Sequence, residues 1–498
     1  MARRRSAVWT PSGEDYRVVF NEQNPWHKSG EVPAALGFTV ERPLAKCLWQ
    51  RVKDNQPKRF QLILGPRRVG KSTAMVQSVR HLLKDAGVPK ENICWLRLDH
   101  PLLMEVQLDE LVRFFLRVRE DPSTTLYMFL DELTYAKQWD LWLKTFYDES
   151  WPIQVIGSSS STAALRNRTL ESGVGRWEDQ FLSPYLFSEY LELRNEAVKI
   201  PVRATLFETL IACIEEKVPI EGLAEKRRRF LLTGGFPELL LGPKQWSEGD
   251  EESPLLHAQR VLRTDAVQSA VYKDIPQAFG VDNPMLLERL LYTLAGQLTG
   301  ILSPNSICSG LQMSQPTFDR YLSFLEHAFL VFTLPNYSGN ETSVQKRGRK
   351  LYFVDGAVRN AALQRGLAPL DDNAEMGLLV ENLIAGHLYS LSQQTQIRLY
   401  HWRDKDEEVD LIYDHPTSPM AFEISIAPQH HRWGLIAFAE RYKKFRGRCF
   451  LITPGSEPKM PQPKTINEIG QMPLDLFLLA VSAQAEKELE KNLAPSCP

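Results

Sequence analysis

The sequence predicts an α/β protein of several domains, the first of which is built on a parallel β-sheet with helices on both faces. Three observations support this. A chain of 498 residues is too long for one hydrophobic core. Its 43% hydrophobic and 24% charged residues are ordinary for a globular protein. Between about residues 60 and 182, short apolar runs alternate with amphipathic stretches, which is typical of buried parallel strands joined by helices.

Charge, cysteines and hydropathy narrow the class of protein. With 59 basic and 61 acidic side chains the formal net charge is -2, so a nucleic acid or an anionic membrane would have to be recognised by a local patch. The six cysteines lack the C-x-x-C spacing of zinc sites and show no disulfide framework. We find no apolar signal core and no run of about 18 apolar residues. The expectation is a cytoplasmic protein without a membrane partner.

The elements of the first domain follow in order. Residues 1–45 are interrupted by prolines and are interpreted as an extension that leads into the first helix. Strands are predicted over 61–64, 93–98, 127–130 and 153–156, with helices from Ser72 and Leu108 and another over 139–147.

A glycine-rich loop lies between the first strand and the following helix. Residues 65–72 fit the pattern G-x-x-x-x-G-K-[ST]. Its backbone N–H groups can wrap a β-phosphate, Lys71 can reach the β and γ oxygens, and Ser72 can ligate Mg²⁺. The alternative is a turn with an accidental lysine. We predict bound ATP with Mg²⁺, held by Gly65, Pro66, Arg67, Arg68, Val69, Gly70, Lys71, Ser72 and Thr73.

Two carboxylates end the third apolar run. Asp131 would complete the Mg²⁺ shell, and Glu132 is placed to polarise an attacking water. An Asp-Glu pair after a strand can also cap a helix, but the upstream loop favours the catalytic interpretation.

Two further residues are catalytic candidates. Ser158 follows the strand over 153–156 and could contact the γ-phosphate or the water, although it could equally cap the next helix. Arg176 could serve a nucleotide in its own subunit or in a neighbouring one, which would require a homo-oligomer. The alternatives for Arg176 are a solvated loop charge and a structural ion pair.

The pattern becomes helical over about 183–282, with a polar surface loop predicted at 242–254. Three helices over 286–297, 303–310 and 316–327, followed by a hairpin, then suggest a helix-turn-helix with a wing. The wing carries Lys346, Arg347, Arg349 and Lys350, which suit contacts to DNA phosphates. Its third helix offers only Arg320 as a cation, so sequence readout would be poor. The alternatives are protein contacts or packing onto the first domain.

The last region returns to mixed helix and strand. Glu381 on a helix, and Asp410 and Glu423 on strands, could gather one Mg²⁺. The chain after about residue 484 is charged and is expected to fray.

The order of these motifs resembles one family, the prokaryotic AAA-type ATPases with a carboxy-terminal domain of unknown function. The resemblance covers roughly residues 45 to 455. It is carried by the loop at 65–72, Leu130-Asp-Glu-Leu133, Gly157-Ser-Ser159, Gly175-Arg176, Ser183-Pro184, Phe187-Ser-Glu189, Gly234-Gly-Phe-Pro-Glu238, Tyr352-Phe-Val-Asp355, Glu381 and Glu408-Val-Asp410.

The resemblance implies a P-loop, AAA+-like ATPase core at 46–195 and a helical lid at 196–282. It further implies a winged helix-turn-helix at 283–355 and an α/β domain like restriction endonucleases at 356–460. A carboxy-terminal helix and tail are expected at 461–498. Nucleases of that fold have a lysine two residues after the second acid, where this chain has Ser425.

We therefore expect an ATP-hydrolysing switch or motor, with DNA as a candidate substrate. One alternative is a nucleotide-gated DNA-binding module with negligible turnover. Another is a Mg²⁺-dependent nuclease, which Ser425 disfavours.

Overall fold

The computed structural model describes residues 13–38, 40–104, 106–119, 121, 123–160, 175–241, 252–340, 344, 348–427, 432–455, 457–461 and 469–494. The chain divides into two units. One comprises residues 1–64, 71–180 and 493–498, and the other comprises residues 65–70 and 181–492.

The first unit is built on a five-stranded sheet. Its strands are β1 (Phe60–Leu64), β2 (Ile93–Arg97), β3 (Leu126–Asp131), β4 (Ile153–Ser159) and β5 (Trp177–Phe181). Its helices are Gly13–Gln23, Trp26–Ser29, Ala34–Gly37, Pro43–Asp54, Lys71–Lys84, Leu108–Val118 and Trp139–Asp148, with 3₁₀ turns at Lys90–Asn92 and Leu133–Tyr135.

The strand order is β2-β3-β4-β1-β5, and β2, β3, β4 and β1 pair in parallel. Every residue of β1, β3 and β4 is buried. Strands covered on both faces have no polar side to alternate with, so their sequences are largely apolar. The predicted parallel sheet is confirmed. This order brings the carboxyl ends of β1 and β3 to either side of β4.

The amino-terminal extension is more ordered than predicted, because the helix Gly13–Gln23 packs beside the edge strand β2. Side chains at the end of that helix and just after it hydrogen-bond to the backbone of β2. The Asn24 amide donates to the Trp95 carbonyl (2.9 Å) and accepts from the Trp95 N–H (2.6 Å). Gln23 accepts from the Arg97 N–H (2.7 Å), and His27 donates to the Ile93 carbonyl (2.8 Å). The outward backbone groups of three β2 residues are satisfied in this way.

The second unit begins with the predicted helical region. The helices are Phe187–Leu193, Leu206–Glu215, Leu223–Thr233, Pro237–Leu241, Glu252–Val261 and Ile275–Phe279, with π-helical segments Leu262–Gln268 and Ala270–Asp274. The surface loop predicted at 242–254 is wrong at its end, since Glu252 already begins a helix. Residues 242–251 lie outside the described residues.

Three helices and a hairpin follow close to their predicted positions. The helices are Pro284–Ala295, Pro304–Leu311 and Gln315–His327. The third is capped by Ser314, whose hydroxyl accepts from the Thr317 N–H at 3.3 Å. Strands β6 (Val331–Pro335) and β7 (Arg349–Phe353) pair antiparallel, with Val331 opposite Phe353.

The carboxy-terminal part carries a second five-stranded sheet. Its strands are β8 (Leu399–Asp404), β9 (Glu407–Tyr413), β10 (Met420–Ile424), β11 (Cys449–Thr453) and β12 (Gly470–Pro473), in the order β12-β11-β10-β9-β8. The helices are Gly356–Leu363, Asn373–Thr395, Trp433–Arg441 and Leu474–Leu493, with 3₁₀ turns at Ala368–Leu370 and Lys443–Phe445. An aromatic core that includes Trp402, Phe438 and Phe445 packs on the sheet.

The fraying predicted after residue 484 is wrong. The last helix continues to Leu493, and its residues Ala485 and Leu489 are buried. These two residues are four positions apart and share one helix face, so an apolar stripe persists among the charges. Among the described helices, none is long and apolar enough to cross a membrane.

Candidate functional site

The loop at 65–70 runs directly from the end of β1 into the helix that begins at Lys71. Two of its glycines are required by the backbone. A Cβ on Gly65 would lie 2.1 Å from the Leu182 carbonyl oxygen, and Gly70 has φ +91°. A side chain would clash with the backbone at position 65 and would strain the left-handed backbone at position 70, so both glycines of the motif have a structural cause here.

Asp131, at the tip of β3, is held through both carboxylate oxygens. The Ser72 hydroxyl donates to Oδ2 at 2.8 Å, and the Ser158 hydroxyl donates to Oδ1 at 2.5 Å. Asp131 and Ser158 are both buried. The structure thus brings together three residues that the sequence placed at separate strand and helix ends, because the carboxyl ends of β3 and β4 are neighbours.

Glu132 follows Asp131 in a left-handed conformation, with φ +53°. Its N–H donates to the Ser158 hydroxyl at 3.0 Å, so one serine orients both the Asp131 carboxylate and the Glu132 backbone. The neighbouring Gly157 permits this approach. A Cβ there would lie 2.8 Å from the Leu133 side chain and 2.9 Å from that of Leu62.

The donor set fits Mg²⁺ and a polyphosphate. Ser72 and Asp131 offer a hydroxyl and a carboxylate, the hard oxygen ligands that Mg²⁺ prefers, and they already converge to 2.8 Å. Lys71 is the first residue of its helix and is buried, which places a cation at the positive end of the helix dipole. A positive charge at a helix N-terminus favours the binding of an anion there.

Arg176 is engaged in a bidentate ion pair within its own unit. Its Nε and Nη2 lie 2.7 Å and 3.0 Å from the carboxylate oxygens of Asp148. This hydrogen bonding holds the pKa of Asp148 below its ordinary value. The ion pair is one of the alternatives considered for Arg176, and its catalytic role stays a prediction.

The prediction that Lys350 contacts DNA is wrong. Its side chain is only 3% exposed and points into a group of carboxylates. Its Nζ lies 2.9 Å from Glu381, 2.8 Å from Glu408 and 2.8 Å from Asp410. A lysine neutralised by three acids inside the protein has no access to a phosphate backbone. Lys346 and Arg347 lie outside the described residues, while Arg349 is exposed at the start of β7.

The terminal acids do not fit the predicted Mg²⁺ site. The Lys350 ammonium already occupies the point where three of the carboxylates converge. Burial and the nearby Asp410 raise the pKa of Glu423 to about 9, so this carboxyl is mostly protonated at neutral pH. Within the part of the chain that the structure describes, no group of three His, Cys, Asp or Glu residues is arranged to hold a metal.

Sequence reasoning missed the role of Lys350. The nuclease resemblance predicts a lysine two residues after Glu423, where this chain has Ser425. The lysine beside the acids comes instead from β7, 60 residues before Asp410 in the chain. The available signal was a charged residue followed by the apolar run Leu351 to Phe353, a strand whose every residue except Arg349 is buried.

Two of the motifs that carry the family resemblance contribute to packing within the second unit. The partly buried Asp355 accepts from the Gly235 N–H and the Ala357 N–H, both at 2.8 Å. A Cβ on Gly234 would lie 2.7 Å from the same carboxylate. The Gly-Gly pair and the aspartate after β7 therefore require each other for packing. His387 likewise accepts from the Phe187 N–H at 3.0 Å, and burial lowers its pKa to about 4.

Comparisons with known proteins agree with the sheet. Residues 57–191 match the model of a family described as an AAA domain. Residues 224–368 and 376–472 match two families described as domains of unknown function. The first match spans β1 to β5 and the loop at 65–70. Together with the strand order, it supports a P-loop core of the AAA type.

The similar curated proteins are uncharacterized. One from Haemophilus influenzae is 23% identical over 407 residues, which is 80% of this chain and 90% of that protein. One from Methanocaldococcus jannaschii is 23% identical over 367 residues, 72% of each chain.

Among solved structures, Cdc6p from Pyrobaculum aerophilum is 15% identical with a TM-score of 0.26, covering 68% of this chain and 99% of that one. A DNA polymerase III gamma subunit-related protein from Thermotoga maritima is 14% identical with a TM-score of 0.25, covering 57% and 99%. TM-scores this low support no conclusion about a shared function.

Proposed function

We propose that this protein binds ATP with Mg²⁺, hydrolyses it, and acts as a nucleotide-driven switch. One observation carries the proposal. Asp131 is buried at a strand tip and hydrogen-bonded by Ser72, the last residue of the phosphate-loop motif, and by Ser158 from the next strand. A buried carboxylate that two hydroxyls orient is a rigid, preorganised ligand, which is what a phosphoryl-transfer site requires.

The roles of the residues follow from their positions. The backbone N–H groups of residues 67–73 would cradle the phosphates, and Lys71 would offset their charge. Ser72 and Asp131 would hold Mg²⁺, which when bound neutralises charge on the phosphate oxygens. Glu132 would accept the proton of the nucleophilic water at its carboxylate. Its backbone is fixed through Ser158.

Two substitutions test the proposal. Lys71→Ala is expected to abolish ATP binding measured by calorimetry, whereas Lys84→Ala, an exposed lysine at the other end of the same helix, should leave it unchanged. Glu132→Gln is expected to retain binding and to slow phosphate release by roughly 10²–10⁴-fold. Unchanged binding in Lys71→Ala would overturn the assignment of the loop, and unchanged turnover in Glu132→Gln would remove Glu132 from catalysis.

We also propose that the hairpin region contacts DNA. A groove of about 460 Å³ lies beside β6, β7 and β8. Among the described residues that line it, Arg349 and Arg398 are the only charged ones. Two arginines that line one groove suit contacts to a phosphate backbone.

Fluorescence polarisation with duplex DNA at several salt concentrations would test this contact. The double variant Arg349→Ala and Arg398→Ala should bind more weakly and should lower the slope of log affinity against log salt by about 1–2. Arg365→Ala, which removes another exposed arginine, serves as the control. An unchanged slope in the double variant would remove this groove from DNA binding.

A further inference from the structure

Both arginines of the phosphate loop are fastened to the helical region that follows in the same unit. Arg67 pairs with Asp274 in a bidentate arrangement, in which Nε and Nη2 donate to the two carboxylate oxygens. The Asp274 side chain is 8% exposed and that of Arg67 is 25% exposed. A guanidinium and a carboxylate in this fork geometry form one of the strongest ion pairs available to a protein.

Arg68 is held between two acids. Its Nη1 lies 2.8 Å from Glu238 and its Nη2 lies 2.8 Å from Asp265. Arg68 also has φ +65°, a left-handed conformation that residues with a side chain seldom adopt. Such a conformation persists where the surroundings enforce it, and the two ion pairs are contacts that can do so.

Two of these three acids lie on π-helical segments. Asp265 belongs to the π-helical segment Leu262–Gln268, and Asp274 ends the segment Ala270–Asp274. π-Helical segments are rare and are frequently found at functional sites. The loop arginines are therefore anchored to a segment with irregular hydrogen bonding.

We propose that these ion pairs couple nucleotide binding to the conformation of residues 252–274. The proposal rests on the ATP binding proposed above and adds its regulation. A triphosphate on the loop would compete with three carboxylates for the two guanidinium groups. These five side chains carry an excess of one negative charge, which repels a polyanion. Binding of ATP weakens the ion pairs and loosens the segment.

Thermodynamic reciprocity supplies the second half of the coupling. If ATP weakens the ion pairs, then the ion pairs weaken ATP binding by the same factor. Loss of the carboxylate charges therefore increases ATP affinity, in contrast to the loss expected when a residue merely supports the fold.

The test measures ATP affinity by calorimetry and hydrogen exchange of residues 252–279. Asp274→Asn is expected to bind ATP roughly tenfold more tightly than the wild type, within the usual range of coupling between sites. In the wild type ATP should accelerate exchange in 262–274. In the variant exchange should be fast before ATP is added and should change little afterwards. Asp282→Asn, an exposed acid outside the cluster, is the matched control and should behave as the wild type.

A second variant protects the test against misfolding, because Asp274 is buried. Glu238→Gln with Asp265→Asn removes acids that are 60% and 27% exposed, and it should also raise ATP affinity. If the wild type binds ATP but these variants bind it equally or more weakly, the coupling is overturned and the proposed function stands. The same conclusion follows if ATP leaves hydrogen exchange in the wild type unchanged. A wild type that does not bind ATP would overturn the proposed function, and the coupling with it.

Discussion

The buried lysine of β7 allows a quantitative prediction. Lys350→Met keeps most of the side-chain volume and removes the ammonium that lies 2.8–2.9 Å from Glu381, Glu408 and Asp410. Burial alone favours the neutral amine, but Asp410 and the other acids outweigh it and raise the pKa of Lys350 well above its ordinary value. The wild-type side chain is therefore charged. Its loss leaves the carboxylates of Glu381 and Asp410, each 14% exposed, without their cation, and breaking a buried ion pair in this way typically costs about 3–5 kcal/mol.

Native-state hydrogen exchange can measure this cost within the second sheet alone. The slowest amides of β9 and β10 should lose protection by roughly a factor of ten for each 1.4 kcal/mol. The loss should be smaller at pH 5 than at pH 8, because Glu381, whose pKa is raised to about 7 by burial and by Asp410, takes up a proton. Lys443→Met, an exposed lysine, should have no effect. A loss below about 1 kcal/mol at pH 8 would refute the electrostatic account of the cluster.

Three further predictions follow from the same geometry. Burial raises the folded-state pKa of Glu423 above its unfolded value to about 9, so stability declines as pH rises between about 4.5 and 9. Glu423→Gln should remove that decline and stabilise the protein at pH 8 by about 1–2 kcal/mol, measured by urea denaturation at pH 5 and pH 8; equal declines in both proteins would contradict it. Ser158→Ala should lower the ATP turnover rate by roughly tenfold with a small change in affinity, because Asp131 and the Glu132 backbone lose a common partner; loss of affinity alone would contradict this. If Arg176 acts on a neighbouring subunit, ATP should increase the oligomer mass measured by light scattering. Arg176→Ala should then lose ATP turnover, whereas Asp148→Asn should retain it. Equal effects of the two variants on turnover would indicate a structural ion pair.

Local periodicity explains most of what the sequence could predict about the fold. Strands β1 to β4 were predicted at their observed positions within a few residues, because strands covered on both faces are largely apolar. The parallel order then followed from the helices between them. The ordered extension was missed because Asn24 and Trp95 are 71 residues apart, and a polar side chain that bonds to a distant backbone leaves no periodic signal.

In the candidate site, too, contacts within a local motif could be predicted and contacts between distant residues could not. The contact between Ser72 and Asp131 was predictable, since a loop motif and an acidic strand end have a defined spatial relation in a parallel sheet. The ion pairs of Arg67 and Arg68 were not, because Asp274 is one of many acids in a helical region and its sequence separation from Arg67 is 207 residues. The same limit applies to Lys350, which was predicted to contact DNA because its neighbours in sequence are basic.

The side chains of Gln23, Asn24 and His27 hydrogen-bond to the outer edge of β2, where a neighbouring strand would otherwise pair. They satisfy outward N–H and C=O groups at Ile93, Trp95 and Arg97, the groups that would otherwise invite another chain to extend the sheet. A protein shortened to begin after residue 30 would keep all five strands of the first sheet and still present an unprotected, largely apolar border. We therefore expect the shortened protein to self-associate through the uncovered edge of β2 rather than to lose its fold.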